Sequence, residues 1–315
     1  HRGHQQQVEQ LEVARARGLE PRLFELVEHG VHAVGEALAV GRDERRSARG
    51  LGDALEQLGV DREPLADVAR LAEQIDAYLP QSAQALAREG ARRLLDYQGE
   101  AYASLYIERL AALTGLDDDE GRLTAEAARW LALWMAYEDT IRVADLKIRA
   151  TRSARVAAEV ELADDQVMQV TEYMHPRLQE VCDILPRPIG HALRHSKLAG
   201  RLLAPLFRKG RHVEVSSVRW FLVLSVMAAL RPIRPISLRF REEQARIGAW
   251  LEALAETAAE DLDLAVELAA CPRLIKGYSD TFDRGVERYE TLLREGRALR
   301  GVPGAAAKLR ALREA

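Results

Sequence analysis

Trp130, Trp134, Tyr137, Ile141, Ala144 and Ile148 recur at spacings of three and four residues, and a repeat of that period lays one wide apolar stripe along an α-helix. A stripe so wide and so aromatic has to be covered by other helices, which constrains the chain to a packed helical array. The spacing predicts a helix that begins near Thr124 and continues through Ile148. The acidic run from Leu116 to Gly121 places carboxylates at its positive end. Glu138/Arg142 and Asp145/Arg149 lie four apart with the acid on the N-terminal side, the favourable orientation for pairing. Ala, Leu, Arg and Glu dominate elsewhere and aromatic residues make up only 5%, a mixture that loses little side-chain freedom in helices. At 315 residues, with 48% hydrophobic and 30% charged, the chain has enough apolar surface for one large core or two ordinary ones. The expected class is all-α: a multi-helix, bundle-like array with one short extended or hairpin segment near 156–174.

That segment is expected because Val160, Val167, Val170 and Thr171 are β-branched. Upstream, Gln5 to Leu58 holds two or three short amphipathic helices broken at Pro21, Gly41 and Gly50. Pro80 opens the next helix at its first turn, and the pattern runs on through Leu94, Tyr97, Ala101, Leu105 and Leu110 across Gly90 and Gly99. Prolines 176, 186, 188 and 205 keep the following helices short. Ser216 or Ser217 caps an apolar helix through Leu230, which Arg231-Pro232 and Arg234-Pro235 stop. After Ser237 one long helix is expected, carrying Phe240, Ile247, Trp250, Leu254 and Leu262 and ending before Pro272, with two more from Phe282 to Leu299 and from Ala305 to Arg313. Residues 1–80 are read as an N-terminal helical segment or linker from an upstream catalytic domain, and 81–315 as a helical accessory domain.

Net charge −4 conceals segregation: between Arg187 and Arg246 stand thirteen Lys and Arg against three Glu, about +10, which leaves about −14 for the remainder. Cys182 and Cys271 are too few for a disulfide framework or a four-thiolate cluster, although the pair allows one bridge, and a reducing, cytoplasmic setting is expected. The longest apolar run, Trp220 to Leu230, is eleven residues, well short of the roughly 20 a membrane helix needs. The first residues lack both an initiating Met and a signal-peptide core, and the chain is therefore expected to be a piece of a longer polypeptide.

Sequence signatures for dinucleotide, phosphate, metal and acyl chemistry are absent, and no catalytic set is assigned. Glu172, Tyr173, His175 and Arg177 gather an acid, a phenol, an imidazole and a guanidinium at a proline-broken junction, fit either to handle an anion or to cap a helix. His191, His195 and His212 lack the convergent partners zinc requires, and no metal is assigned. Arg194, Lys197, Arg201, Arg208, Lys209 and Arg211 form a basic stretch suited to a partner surface, to solvent, or to an anion or nucleic acid. With Phe207 and Trp220 its only aromatics, it is thin for base stacking, so nucleic acid is not expected. Lys276, Tyr278 and Asp280 surround Gly277 between two helices, either as a capped turn or as a functional loop.

Four blocks stand out as a set: RRLLDYQGEAYASLYIERL (92–110), WLALWMAYEDTIRVADLKIR (130–149), TEYMHPRLQEVCDILP (171–186) and CPRLIKGYSDTFDRG (271–285). In this order and spacing they resemble the C-terminal helical domain of indolepyruvate ferredoxin oxidoreductase, in particular β-subunit-like proteins of the 2-oxoacid oxidoreductase superfamily, over roughly residues 85–300. The resemblance implies thiamine-diphosphate-dependent oxidative decarboxylation of an arylpyruvate to an aryl-acetyl-CoA, with electrons leaving through iron–sulfur clusters to ferredoxin. Those cofactors would be carried by another domain or subunit of the same enzyme. Similar sequences read KGYGDTH where this one has Ser279 and Phe282. The sequence alone also allows a non-enzymatic helical interaction module, or anion or nucleic-acid binding through the basic 187–246 segment.

Overall fold

The computed structural model describes residues 65–160, 168–174, 177–207, 210–277 and 279–315. The helices expected between Gln5 and Leu58, together with His175, Arg208, Lys209, Tyr278 and residues 161–167 of the expected extended segment, lie outside the described residues. Helices make up most of the described structure, and the one sheet found among the described residues has two strands. The protein is all-α. Among the described residues no helix is long and apolar enough to cross a membrane.

The chain divides into two compact units whose segments interleave. The larger comprises Arg62–Asp139, Leu178–Arg201 and Pro235–Ala315. Its first helices are α1 (Leu65–Tyr78), α2 (Gln81–Gln98) and α3 (Glu100–Thr114). Pro80 stands at the N-cap of α2 rather than inside its first turn. Gly99 does end that helix: its φ of +108° is a backbone conformation that residues with a Cβ avoid, so α2 and α3 are separate.

Helix α4 (Arg122–Met135) begins where the Asp117 carboxylate accepts the backbone N–H groups of Leu123 and Thr124 at 3.0 and 2.7 Å, as the acidic loop foretold. It stops at Met135, and α5 (Thr140–Ile148) starts anew in the other unit. The single helix expected through Ile148 is therefore two. No Gly or Pro makes the break. Trp134 and Tyr137 are instead held by partners distant in sequence, and tertiary packing overrides local propensity.

The larger unit continues with α7 (Leu178–Ile184), α8 (Arg187–His195) and the start of α9 (Lys197–Phe207). It closes with α11 (Leu238–Ala258), α12 (Leu262–Ala269), a 3₁₀ turn (Cys271–Leu274), α13 (Ser279–Ala298) and α14 (Ala305–Glu314). The long helix expected from Ser237 to Pro272 is also two, because Asp261 caps α12 by accepting Leu264 N–H at 2.9 Å. The core runs from Leu71 to Leu309 and centres on Trp134, which meets Tyr289 edge-on at 5.1 Å and Trp250 at 5.9 Å between ring centroids.

The smaller unit, so far as it is described, holds α5, α6 (Ala150–Glu159), β1 (Thr171–Met174), β2 (Arg211–Glu214) and α10 (Val218–Ala228). Among the described residues, the segment expected to be extended near 156–174 is so only in β1, since residues 156–159 instead complete α6, where the Ala- and Arg-rich run favours helix over the single β-branched Val156. The partner of β1 is β2, antiparallel and about forty residues on, with Thr171 opposite Glu214 and Met174 opposite Arg211. Ile141, Ala144, Val213, Val215 and Leu224 are the unit's buried apolar residues among those described. Ser217 holds the N-cap position of α10, yet its hydroxyl donates backward to Glu214 O at 2.7 Å. After α10 the two Arg-Pro pairs fold into a 3₁₀ turn, Arg231–Ile236.

Candidate functional site

The densest buried polar arrangement lies in the larger unit around Arg239. Ser237 caps α11, accepting Phe240 N–H at 3.3 Å, and this sets Arg239, Phe240 and Glu243 on the inward face. Glu243 is fully buried. Its carboxylate accepts the Trp134 indole N–H at 2.9 Å and Arg239 Nε–H at 3.1 Å, and Arg246 stands 3.6 Å away. The Arg239 guanidinium lies 4.0 Å from the Phe282 ring centroid and 5.3 Å from that of Tyr137, with Asp183 at 3.8 Å. Asp183 in turn takes an ion pair from Arg194, whose other branch reaches Glu242 at 2.9 Å.

An aromatic rim closes the arrangement. Tyr97 packs on Tyr137 at 5.9 Å and donates to Asp139 at 3.4 Å. Tyr102 packs on Phe240 at 5.6 Å, donates to Met135 O and accepts from Gln244. Burial drives the Tyr137 phenol well above its ordinary range, reinforced by the charges of Asp139 and Glu243. Its hydroxyl has no hydrogen-bond partner among the described residues. Burial likewise raises the Asp183 carboxyl, against the pull of Arg194 and Arg239. Arg194 and Arg239 are each matched to carboxylates, so the arrangement acts as a clasp joining α2, α4, α7, α8, α11 and α13.

The clasp draws on all four sequence blocks: Tyr97 and Tyr102 from the first, Trp134, Tyr137 and Asp139 from the second, Asp183 from the third and Phe282 from the fourth. A family model described as a family of unknown function, DUF6537, matches residues 83–295, more than half of the chain. The protein belongs to the DUF6537 family. No curated protein and no solved structure matches it. The DUF6537 match contains every clasp residue named above, and it ends inside α13.

The residues singled out in the sequence scatter over both units of this DUF6537 member. Of the basic stretch, Arg194 is absorbed by the clasp, while Lys197 and Arg201 are exposed. Arg211 sits on β2 in the smaller unit. Glu172 on β1 is half-buried and binds Lys147 and Arg152, and burial lowers the Lys147 ammonium from its usual range. Tyr173 is exposed beside His212, with ring centroids 5.4 Å apart, and Arg177 is the last residue of its segment. Lys276 and Asp280 are exposed in the larger unit around Gly277, whose φ is +80°. The structure therefore places 172–177 in one unit and 276–280 in the other. Among the described residues no group of three or more His, Cys, Asp and Glu is arranged to hold a metal.

Arg239, Asp183 and Glu243 were missed by sequence reasoning. One signal was available. Glu243 falls on the same helical stripe as Phe240, Ile247 and Trp250, and an acid in mid-stripe has to find a buried partner.

Proposed function

We propose that this DUF6537 chain is a helical accessory domain of an indolepyruvate or related 2-oxoacid:ferredoxin oxidoreductase, with the oxidative decarboxylation carried by other domains or subunits. The observation that carries this reading is the convergence of the four resembling blocks on one clasp. Blocks as far apart as 92–110 and 271–285 resemble that family together and meet in one structural feature, with Phe282 standing where similar sequences read His. Thiamine diphosphate, iron–sulfur clusters and CoA belong to the rest of the enzyme in this reading. Two cysteines, both free and buried, do not supply the thiolate set that a cluster requires.

Purification from the native source tests the proposal. The chain is expected together with a thiamine-diphosphate-binding catalytic domain or subunit, in a preparation that reduces a viologen dye only when arylpyruvate and CoA are both supplied. Recovery of the chain with no such domain, or a preparation inactive with every 2-oxoacid tried, would overturn it.

A further inference from the structure

The larger unit carries one surface built unlike the rest. From Ile184 to Val213 thirty consecutive residues contain no carboxylate, seven Lys or Arg, and three His. The structure sorts the part within this unit into an inner and an outer face. On α8, Gly190 is pressed so closely against the carbonyl of Cys182 and the side chain of Leu238 that a Cβ would stand 2.3 Å from that oxygen. One turn on, Arg194 is spent on Asp183 and Glu242. That is the inward face, and it is electrically settled.

The outward face is not. Arg187, Ile189, His191 and His195 are exposed on α8, followed on α9 by Lys197, Leu198 and Arg201. Arg187, Lys197 and Arg201 meet no carboxylate among the described residues. Ile189 is 55% and Leu198 68% exposed. The His191 and His195 rings stack at 4.2 Å between them.

We propose that this outward face of α8 and the start of α9 docks an acidic protein surface on the catalytic partner. The inference rests on the accessory-domain reading for the partner's identity. Complementary charge steers such an encounter and fixes its register, and exposed aliphatic side chains among the cations suit the mixed centre of a protein interface. The same mixture argues against nucleic acid, since no Phe, Tyr or Trp stands between Arg187 and Arg201 to stack a base. A lipid surface fits less well, because the histidine pair separates Ile189 from Leu198 and from Leu202 one turn beyond it, and cations are interspersed among them.

The test uses the full chain, wild type and two variants, Arg187→Glu/Lys197→Glu/Arg201→Glu and Ile189→Asp/Leu198→Asp. Each is titrated with the purified catalytic portion of the parent oxidoreductase, with a 20-base-pair DNA duplex and with phosphatidylglycerol vesicles. All five substituted residues are exposed, so both variants should melt as the wild type does. Affinity for the catalytic portion should fall at least tenfold in each variant. Raising salt from about 50 to 300 mM should weaken the wild type but not the charge-reversed chain. Equal binding by wild type and variants would overturn the surface while leaving the accessory-domain reading standing. No binding even by the wild type would overturn both. Loss of DNA or vesicle binding in the variants, with the catalytic portion held unchanged, would reassign the face to that ligand.

Discussion

The two units spend their apolar residues differently. In the larger, Trp134, Trp250, Tyr97, Tyr106 and Tyr289 are packed out of solvent, and even the ionic contacts of Glu243 and Asp183 are internal. In the smaller, the described residues bury only Ile141, Ala144, Val213, Val215 and Leu224 among their apolar side chains, and α10, apolar over nearly its whole length, leaves Val223 at 41% and Val226 at 53% exposure. Depth of burial sets local stability. Among the described residues the larger unit is therefore the deeper-packed frame, and the described part of the smaller is expected to open first.

The largest effect should come from breaking the clasp. Arg239→Ala strands the fully buried Glu243 with a weaker cation and removes the guanidinium from two rings. A loss of about 3–5 kcal/mol is expected for a buried pair broken on one side, measured by urea denaturation. A loss below about 1 kcal/mol would mean the clasp is not what holds the frame.

Next comes the smaller unit. Leu224→Ala should cost about 3 kcal/mol, seen as faster amide exchange over α5, β1, β2 and α10 while α4 and α11 keep their protection. Simultaneous loss of protection in both sets would show one cooperative unit and erase the contrast.

High pH should weaken the frame more gently. Burial pushes the Cys271 thiol up to about 12 from 9.0, and burial raises Tyr106, Tyr137 and Tyr289 above 10.0 as well. Folded-state values that exceed the unfolded ones mean stability is full below about pH 9. It is then lost as pH rises toward the raised values, because the unfolded chain ionises first. Cys271 alone should remove about 2 kcal/mol by pH 10.5, at roughly 1.4 kcal/mol per pH unit. Thermal melts from pH 7 to 10.5 check the slope, and a flat profile would remove this account of the core.

The smallest effect is expected at Tyr289, whose buried hydroxyl has no hydrogen-bond partner among the described residues. Tyr289→Phe should leave stability unchanged or raise it by up to about 1 kcal/mol, because an unsatisfied polar group is removed. A clear loss in the same melts would reveal a partner for that hydroxyl.

Legibility in the sequence followed the range of the interactions. Helical class was plain from composition, and the 3–4 stripe named truly buried residues: Trp134, Tyr137, Ile141 and Ala144 are all under 10% exposed. The stripe could not reveal the break after Met135, since the partner that holds Trp134 is Glu243, 109 residues away. β1 was signalled by Val170 and Thr171 at its start, whereas β2 carries no such expectation although His212, Val213, Glu214 and Val215 alternate as a strand should. Of the site, charge segregation in the sequence marked the basic stretch alone. Only the fold could divide it into Arg194, neutralised within, and Lys197 and Arg201, left outside.

The interleaving of the units bears on how the chain reaches its native state. Residues 62–139 cannot complete their core until 235–315 have been made, so a long intervening stretch must be looped out before the frame closes. Such loop closure is entropically costly and slows folding. A fragment that stops at Arg234 would hold every described residue of the smaller unit, yet it would leave Trp134 without Glu243, Trp250 or Tyr289 to cover it.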